Sequence, residues 1–141
     1  LNNAVEIERN GVVQPEEIAD VRESVGWDRL EGTYQETLSR LYSYYTVRTD
    51  GRLVGYLGVV SDGIADAMLV DVVIHREYQG KGIGKRLLIQ ALRELRDDGI
   101  RGVQLTFASE LEDFYRSVGF RILSGGLIDF KYMEWDPDTD L

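Results

Sequence analysis

Hydrophobic and polar positions along the chain switch between a period of two and a helical period several times. Ala4–Arg9 alternates, Val5 and Ile7 against Glu6 and Glu8, and predicts a strand that ends at Asn10-Gly11. Pro15 opens a helix at the position proline tolerates, with Glu16 and Glu17 in the first turn, where the helix dipole favours anions. Its apolar side is Ile18, Val21 and Val25, and it stops near Gly26 with Trp27 in a short connection. Thr33 and Glu36 have capping-box spacing for a second helix, with Tyr34, Leu38, Leu41 and Tyr42 on its apolar side. Tyr44–Thr49 and Arg52–Val60 flank Asp50-Gly51, a two-residue hairpin signal, and Ser61-Asp62-Gly63 marks a further turn. Ala67–Ile74 is almost continuously apolar, as a central strand covered on both faces should be. Gly82–Asp98 predicts a long amphipathic helix with Ile83, Leu87, Leu88, Ala91, Leu92 and Leu95 inward and Gly99 as its C-cap.

Val103–Phe107 predicts the next strand, parallel to Ala67–Ile74 if the helix between them is a right-handed crossover. Leu111–Val118 predicts a short helix ended by Gly119, and Phe120–Leu123 and Leu127–Met133 a closing hairpin through Ser124-Gly125-Gly126. No repeat or linker divides the chain, so residues 1–141 are expected to form one domain, with 136–141 a frayed tail. The element order gives an α/β or α+β fold with a mixed sheet of about six to seven strands and about four helices.

Composition narrows the chemistry. The chain carries 25 Asp+Glu against 16 Lys+Arg, a net charge of −9, which argues against a nucleic-acid binder and favours a cation as any small charged acceptor. With no cysteine there is no disulfide framework or thiolate metal site. One histidine and no clustered carboxylate motif lead to the expectation of no metal. No apolar run approaches the roughly 18 residues of a membrane span, and residues 1–30 lack a signal-peptide core. A cytoplasmic protein is therefore expected, and the start at Leu1 rather than Met leads to the expectation that a few residues precede it.

The most informative segment is Asp71–Leu88, a buried strand that runs through a loop with Gly80, Gly82 and Gly84 into a helix. Glycines there let backbone approach a ligand, and free N–H groups at the helix start suit an anion. Between Arg76 and Arg86 lie four cations (Arg76, Lys81, Lys85, Arg86) and one anion (Glu77), so the loop is basic within an acidic chain. A phosphate or pyrophosphate is the expected guest. A Walker loop is ruled out because Gln79 stands where its first glycine belongs and Arg86 where Ser or Thr should follow. A dinucleotide fingerprint is ruled out because Lys85 stands at its third glycine.

What remains, Gln79-x-x-Gly82-x-Gly84, resembles the acyl-CoA loop of the GNAT superfamily of N-acetyltransferases. Phe114-Tyr115-Arg116-Ser117-Val118-Gly119-Phe120 resembles the family's second signature, and the order of elements matches over nearly the whole chain. Arg76 departs from the proline that relatives often carry. The resemblance implies a mixed, V-splayed sheet and an enzyme that moves an acetyl group from acetyl-CoA to a primary amine by direct transfer in a ternary complex. It implies that Gln79, Gly80, Lys81, Gly82, Ile83, Gly84 and Lys85 hold the pyrophosphate. Val72, Val73 and Ile74 would line the pantetheine arm, and one of their amides would polarise the thioester carbonyl.

Direct transfer needs an ammonium to lose a proton and the departing thiolate to gain one. Tyr115 matches the family tyrosine that approaches the sulfur and is the expected acid, although its place beside the stripe of Leu111, Phe114 and Val118 also suits a core-edge aromatic. Asp71, the one carboxylate in its apolar strand, is a base candidate if it is buried and unpaired, or else a structural aspartate. His75 reads as a surface or packing residue. By resemblance the acceptor would be walled by Trp27 and Tyr34, with Tyr132 a further candidate, although these aromatics also suit caps on the core; Glu31 or Glu36 could attract a cationic amine or be solvated surface carboxylates. The Val25-Gly26-Trp27 and Asp71-Val72-Val73 segments look like those of small relatives that include amine-acetylating enzymes of the serotonin type, which points to a small amine. Dimerisation is common among relatives. Two other functions fit the same loop: a non-catalytic acyl-CoA-binding regulatory module, and an acetyltransferase acting on a protein N-terminus or lysine.

Overall fold

Asp50 and Gly51 both sit at positive φ, 49° and 79°, the type I′ geometry that matches strand twist and closes a tight hairpin. In the computed structural model, which describes residues 4–138, they join strands β2 (Ser43–Thr49) and β3 (Arg52–Ser61) with Thr49 opposite Arg52. Strand β1 (Val5–Arg9) runs antiparallel to β2, with Ile7 opposite Val47. Strand β4 (Asp66–Ile74) runs antiparallel to β3, and β5 (Gly102–Gln104) is parallel to β4. The sheet order is β1-β2-β3-β4-β5, a mixed α+β architecture.

The helices are α1 (Pro15–Ser24), α2 (Glu31–Arg40), α3 (Ile83–Asp97) and α4 (Glu112–Val118). Ile18, Val21 and Tyr34 from α1 and α2 pack on Leu53, Tyr56 and Val73 of the sheet. Leu87, Leu88, Ala91 and Leu95 of α3 are fully buried, as the amphipathic pattern requires. Backbone contacts group the chain into two compact units, Leu1–Leu105 and Thr106–Leu141.

Three expectations are corrected. Among the described residues the sheet has five strands, not six or seven, because residues 120–133 form no hairpin. Asp129 Oδ1 accepts the backbone N–H groups of Lys131 (2.9 Å) and Tyr132 (3.2 Å), a local turn that takes the donors the second strand would need. The strand expected at Val103–Phe107 is the shorter Gly102–Gln104, paired only with Asp66–Met68. Helix α2 begins at Glu31, not at a Thr33 cap: Leu30 takes φ 54°, and the Thr33 N–H already donates to Leu30 O at 3.0 Å. Arg29 Nε, 2.7 Å from Glu31, steadies that earlier start. Of the tail expected at 136–141, residues 139–141 lie outside the described residues.

Glu17, expected only to complement the dipole of α1, ties that helix to the sheet. Its carboxylate accepts the Gln14 N–H at 2.9 Å and both terminal nitrogens of Arg48 at 2.9 and 2.7 Å. The Arg48 hydrogen bonds hold the Glu17 carboxyl below the usual carboxylate range. A group whose folded-state proton affinity is depressed adds stability above its unfolded pKa and loses it as the pH falls through the folded value. The melting temperature should therefore fall on acidification below the ordinary glutamate value of ~4.3. Glu17→Gln should flatten part of that fall in a thermal melt series, and an identical pH dependence would remove Glu17 from it.

Candidate functional site

At the end of β4, the N–H of His75 returns to Val54 O at 2.8 Å, and Arg76–Tyr78 make one 3-10 turn capped by His75 Nδ1, which accepts the Glu77 N–H at 3.1 Å. His75 therefore serves the loop's own geometry. Gln79 does the same, since its side-chain amide donates to Ile74 O at 2.9 Å and fastens the loop to the strand end. Gly80 and Gly82 then take φ 75° and 80°, and nothing lies within 4 Å of where a Cβ would sit on either. Glycine is needed there for its conformation, and the space outside is open.

Gly82 is also the N-cap of α3. No side chain caps that end, and its first turn carries no acid, so the amides of Ile83, Gly84 and Lys85 are left for an external acceptor. The Ile83 side chain is buried, so this residue offers only its backbone. Lys81 Nζ lies 5.2 Å over the Tyr78 ring, and Lys85 and Arg86 line a groove of about 560 Å³ beside α3. Two left-handed glycines, an uncapped 15-residue helix and these cations fit a diphosphate-bearing group.

The strand leading into this loop has an open edge. Pairing with β5 ends at Met68, so among the described residues no strand partners the far side of Leu69–Ile74. Val72 and Ile74 are half-buried there, and Val73 is buried in the core beneath α1 and α2.

The strand is also broken on its β3 side. Tyr56 pairs with Val73 and Gly58 with Val70, so Asp71 and Val72 face Leu57 alone in a bulge, with Asp71 at φ 54°. Sequence reading makes this a continuous strand and its aspartate a candidate unpaired base. The structure pairs the carboxylate instead: Arg22 Nη1 donates to Oδ1 at 3.1 Å, and Tyr34 OH to Oδ2 at 2.6 Å. The Asp71 side chain is 35% exposed.

Arg22 is the residue sequence reading missed. It is buried, its Nε donates to Asp28 O, and its Nη1 also reaches Tyr34 OH at 3.2 Å. Its guanidinium lies 5.2 Å over the Trp27 ring. It therefore brings together Trp27, Tyr34 and Asp71, three residues spread over 45 positions of sequence. Trp27 is 40% exposed, whereas Tyr34 is 1% exposed and works as a core support, not as the pocket wall expected of it. Burial first, and then Asp71, push the Tyr34 phenol far above its ordinary pKa, so it remains a donor. The sign of Arg22 in the sequence is a cation lying on the Ile18, Val21, Val25 stripe of α1. Glu31 and Glu36 are instead paired with Arg29 and Arg40.

In the second unit, Gly119 at φ 118° ends α4, and Tyr115 is 4% exposed. Its ring stacks on Phe107 (centroids 4.6 Å) and meets Phe114 and Phe120 edge-on. Burial raises the pKa of its phenol. Tyr132, a further acceptor candidate, is in the same unit and mostly exposed.

Comparison with known proteins gives a consistent picture. Residues 40–122 match the family model for the acetyltransferase (GNAT) domain. An uncharacterized N-acetyltransferase of Gracilaria tenuistipitata var. liui is 29% identical over 133 residues, 91% of this chain and 71% of its own length. A histone acetyltransferase of Glycine max is 34% identical over 62% of this chain and 36% of itself. Serotonin N-acetyltransferase 2, chloroplastic, of Oryza sativa subsp. japonica is 31% identical over 50% of this chain and 35% of itself. The chain thus spans little more than a third of the lengths of the last two relatives.

Among solved structures, a GNAT-family acetyltransferase from Streptococcus pneumoniae superposes with a TM-score of 0.73 at 26% identity, covering 89% of this chain and 96% of that one. A GNAT-family acetyltransferase from Brucella melitensis, solved with acetyl-CoA, shares the fold with a TM-score of 0.61 at 22% identity, covering 86% and 85%. No helix among the described residues is long and apolar enough to cross a membrane, and none of their His, Cys, Asp and Glu side chains group as a metal site.

Proposed function

Because this chain belongs to the GNAT family of acetyltransferases, we propose that it transfers the acetyl group of acetyl-CoA to the primary amine of a small molecule, with both substrates bound at once. The observation that carries this reading is the continuity, within one unit, of an open glycine loop at an uncapped helix start, a strand edge with no strand partner among the described residues and a carboxylate at the bulge of that strand. The loop amides from Ile83 to Lys85 would take the pyrophosphate, and Lys81, Lys85 and Arg86 would offset its charge. The free edge of Val72–Ile74 would receive the pantetheine arm, and a strand N–H would polarise the thioester carbonyl.

In the transfer itself, the amine nitrogen forms a C–N bond with the acetyl carbon while the C–S bond breaks. The ammonium gives one proton to water before it attacks, the nitrogen gives up a second to water as the C–N bond forms, and the departing sulfur takes one from the Tyr115 phenol, which regains it from solvent. Asp71, already paired with Arg22 and Tyr34, orients the amine. A small cationic acceptor suits the net charge of −9 and the exposed pair of Asp71 and Trp27. The name of the rice relative supports a small amine, and that of the Glycine max relative supports a protein acceptor. The rice relative is also named chloroplastic, so cell fractionation has to decide between a plastid and the cytoplasm expected from the sequence.

The test is thiol release from acetyl-CoA across arylalkylamines, polyamines, amino acids and lysine peptides. Turnover confined to small amines is expected. Turnover on peptides alone would replace the small acceptor with a protein one. Acetyl-CoA binding in a calorimeter with no thiol release from any acceptor would favour a non-catalytic acyl-CoA module.

A further inference from the structure

A core built only for packing would put an apolar residue at position 22, because burying a guanidinium is costly unless it is paired and hydrogen-bonded. Arg22 is 7% exposed, yet it gives its hydrogen bonds to Asp28 O, Tyr34 OH and Asp71 Oδ1, with the Trp27 and Tyr34 rings at 5.2 and 5.8 Å from its carbon. Tyr34 continues the chain of bonds, accepting from Arg22 and donating to Asp71 Oδ2 at 2.6 Å. Each carboxylate oxygen therefore has one buried donor, on a residue whose backbone is already fixed in a bulge at φ 54°. Of the four side chains Arg22, Trp27, Tyr34 and Asp71, Trp27 and Asp71 are the two that are not buried. A buried pair of donors, one on each carboxylate oxygen, orders the carboxylate it holds.

We infer that Arg22 and Tyr34 are positioning residues for the acceptor, holding the Asp71 carboxylate so that its exposed lone pairs receive the ammonium of a cationic amine. The inference rests on the transferase reading above and adds to it how the acceptor end is built. Arg22 and Tyr34 act through Asp71 and do not touch the amine. The carboxylate held between them offers a directed acceptor in place of one free to rotate, which lowers the ordering cost of binding.

The experiment is a double-mutant cycle between Tyr34→Phe and Asp71→Asn, read as kcat/KM for the best amine, with acetyl-CoA affinity measured by calorimetry. Tyr34→Phe keeps the ring and its edge-on contact with Tyr56, centroids 5.7 Å apart, so the fold should survive it. It should lower kcat/KM for the amine about tenfold or more, the usual weight of a hydrogen bond to a charged group, mainly through KM and with acetyl-CoA affinity unchanged. In the Asp71→Asn background the same substitution should have little further effect. Arg22→Lys should retain more activity than Arg22→Gln. Equal losses from Tyr34→Phe in both backgrounds, or a parallel loss of acetyl-CoA affinity, would show a merely structural role and overturn the inference. An Asp71→Asn enzyme with wild-type kcat/KM would overturn it while leaving the transferase reading intact. A wild-type protein that releases no thiol with any amine would overturn both.

Discussion

Tyr115→Phe should lower kcat by about 10²–10⁴-fold, the range for a lost general acid, with acetyl-CoA affinity nearly unchanged. The substitution isolates the hydroxyl, because the ring that stacks on Phe107 and meets Phe114 and Phe120 is retained. Stability should therefore hardly move, since nothing is taken from the apolar contacts of α4. Burial makes the phenolate costly and raises the phenol's pKa, so at neutral pH the hydroxyl carries its proton and is available as a donor. The sulfur that gathers negative charge as the C–S bond breaks is stabilised by that donor. Without the hydroxyl the sulfur must leave as a bare anion or wait for water. Steady-state kinetics at saturating acetyl-CoA, with a thermal melt as the control, checks this. A wild-type kcat would remove Tyr115 from the mechanism and leave it as one ring of an aromatic cluster.

The elements of this fold were legible where one local rule decided them. The Asp50-Gly51 turn, the Pro15 start and the amphipathic stripe of α3 each need only neighbouring residues, and each forms as expected. The C-terminal hairpin was not legible, because an alternating pattern states which residues suit a strand and not whether a sheet edge is there to receive it. Asp129 supplied a competing local bond that the alternation of Leu127–Met133 conceals. The bulge at Asp71 was invisible for a related reason. Its apolar neighbours read as continuous strand, and the positive φ is fixed by the pairing of Val70 and Val73 with β3.

The candidate site divides in the same way. The Gly80–Lys85 loop is contiguous, so its conformation follows from its own glycines. The cluster around Arg22 joins residues 22, 27, 34 and 71, and long-range pairing of this kind leaves in each segment only a small local anomaly. In α1 that anomaly is a charge on an apolar stripe, and in β4 it is a carboxylate in an apolar run. Both are costs that must be met by a partner, and the partner of each proves to be the other.

Gly82→Asp should weaken acetyl-CoA binding by about 10²–10³-fold, the size expected when a fixed negative charge is placed a few ångströms from a diphosphate near a protein surface. The fold should tolerate the change better than most substitutions at φ 80°, because aspartate is among the few non-glycine residues that visit the left-handed region, and nothing lies within 4 Å of its Cβ. The new carboxylate would stand at the N-cap of α3, beside the same first-turn amides that no side chain now caps. It would compete for those donors and repel the ligand at once, while its interaction with the helix dipole favours the folded chain. Gly82→Ala separates the two contributions, since it imposes the backbone strain without the charge and should lose far less affinity. Calorimetric titration of both variants with acetyl-CoA, beside thermal melts, is the measurement. Equal losses in the two variants would assign the effect to strain in the loop. Unchanged affinity in Gly82→Asp would mean that the pyrophosphate does not rest on the amino end of α3, and the loop assignment would fall with it.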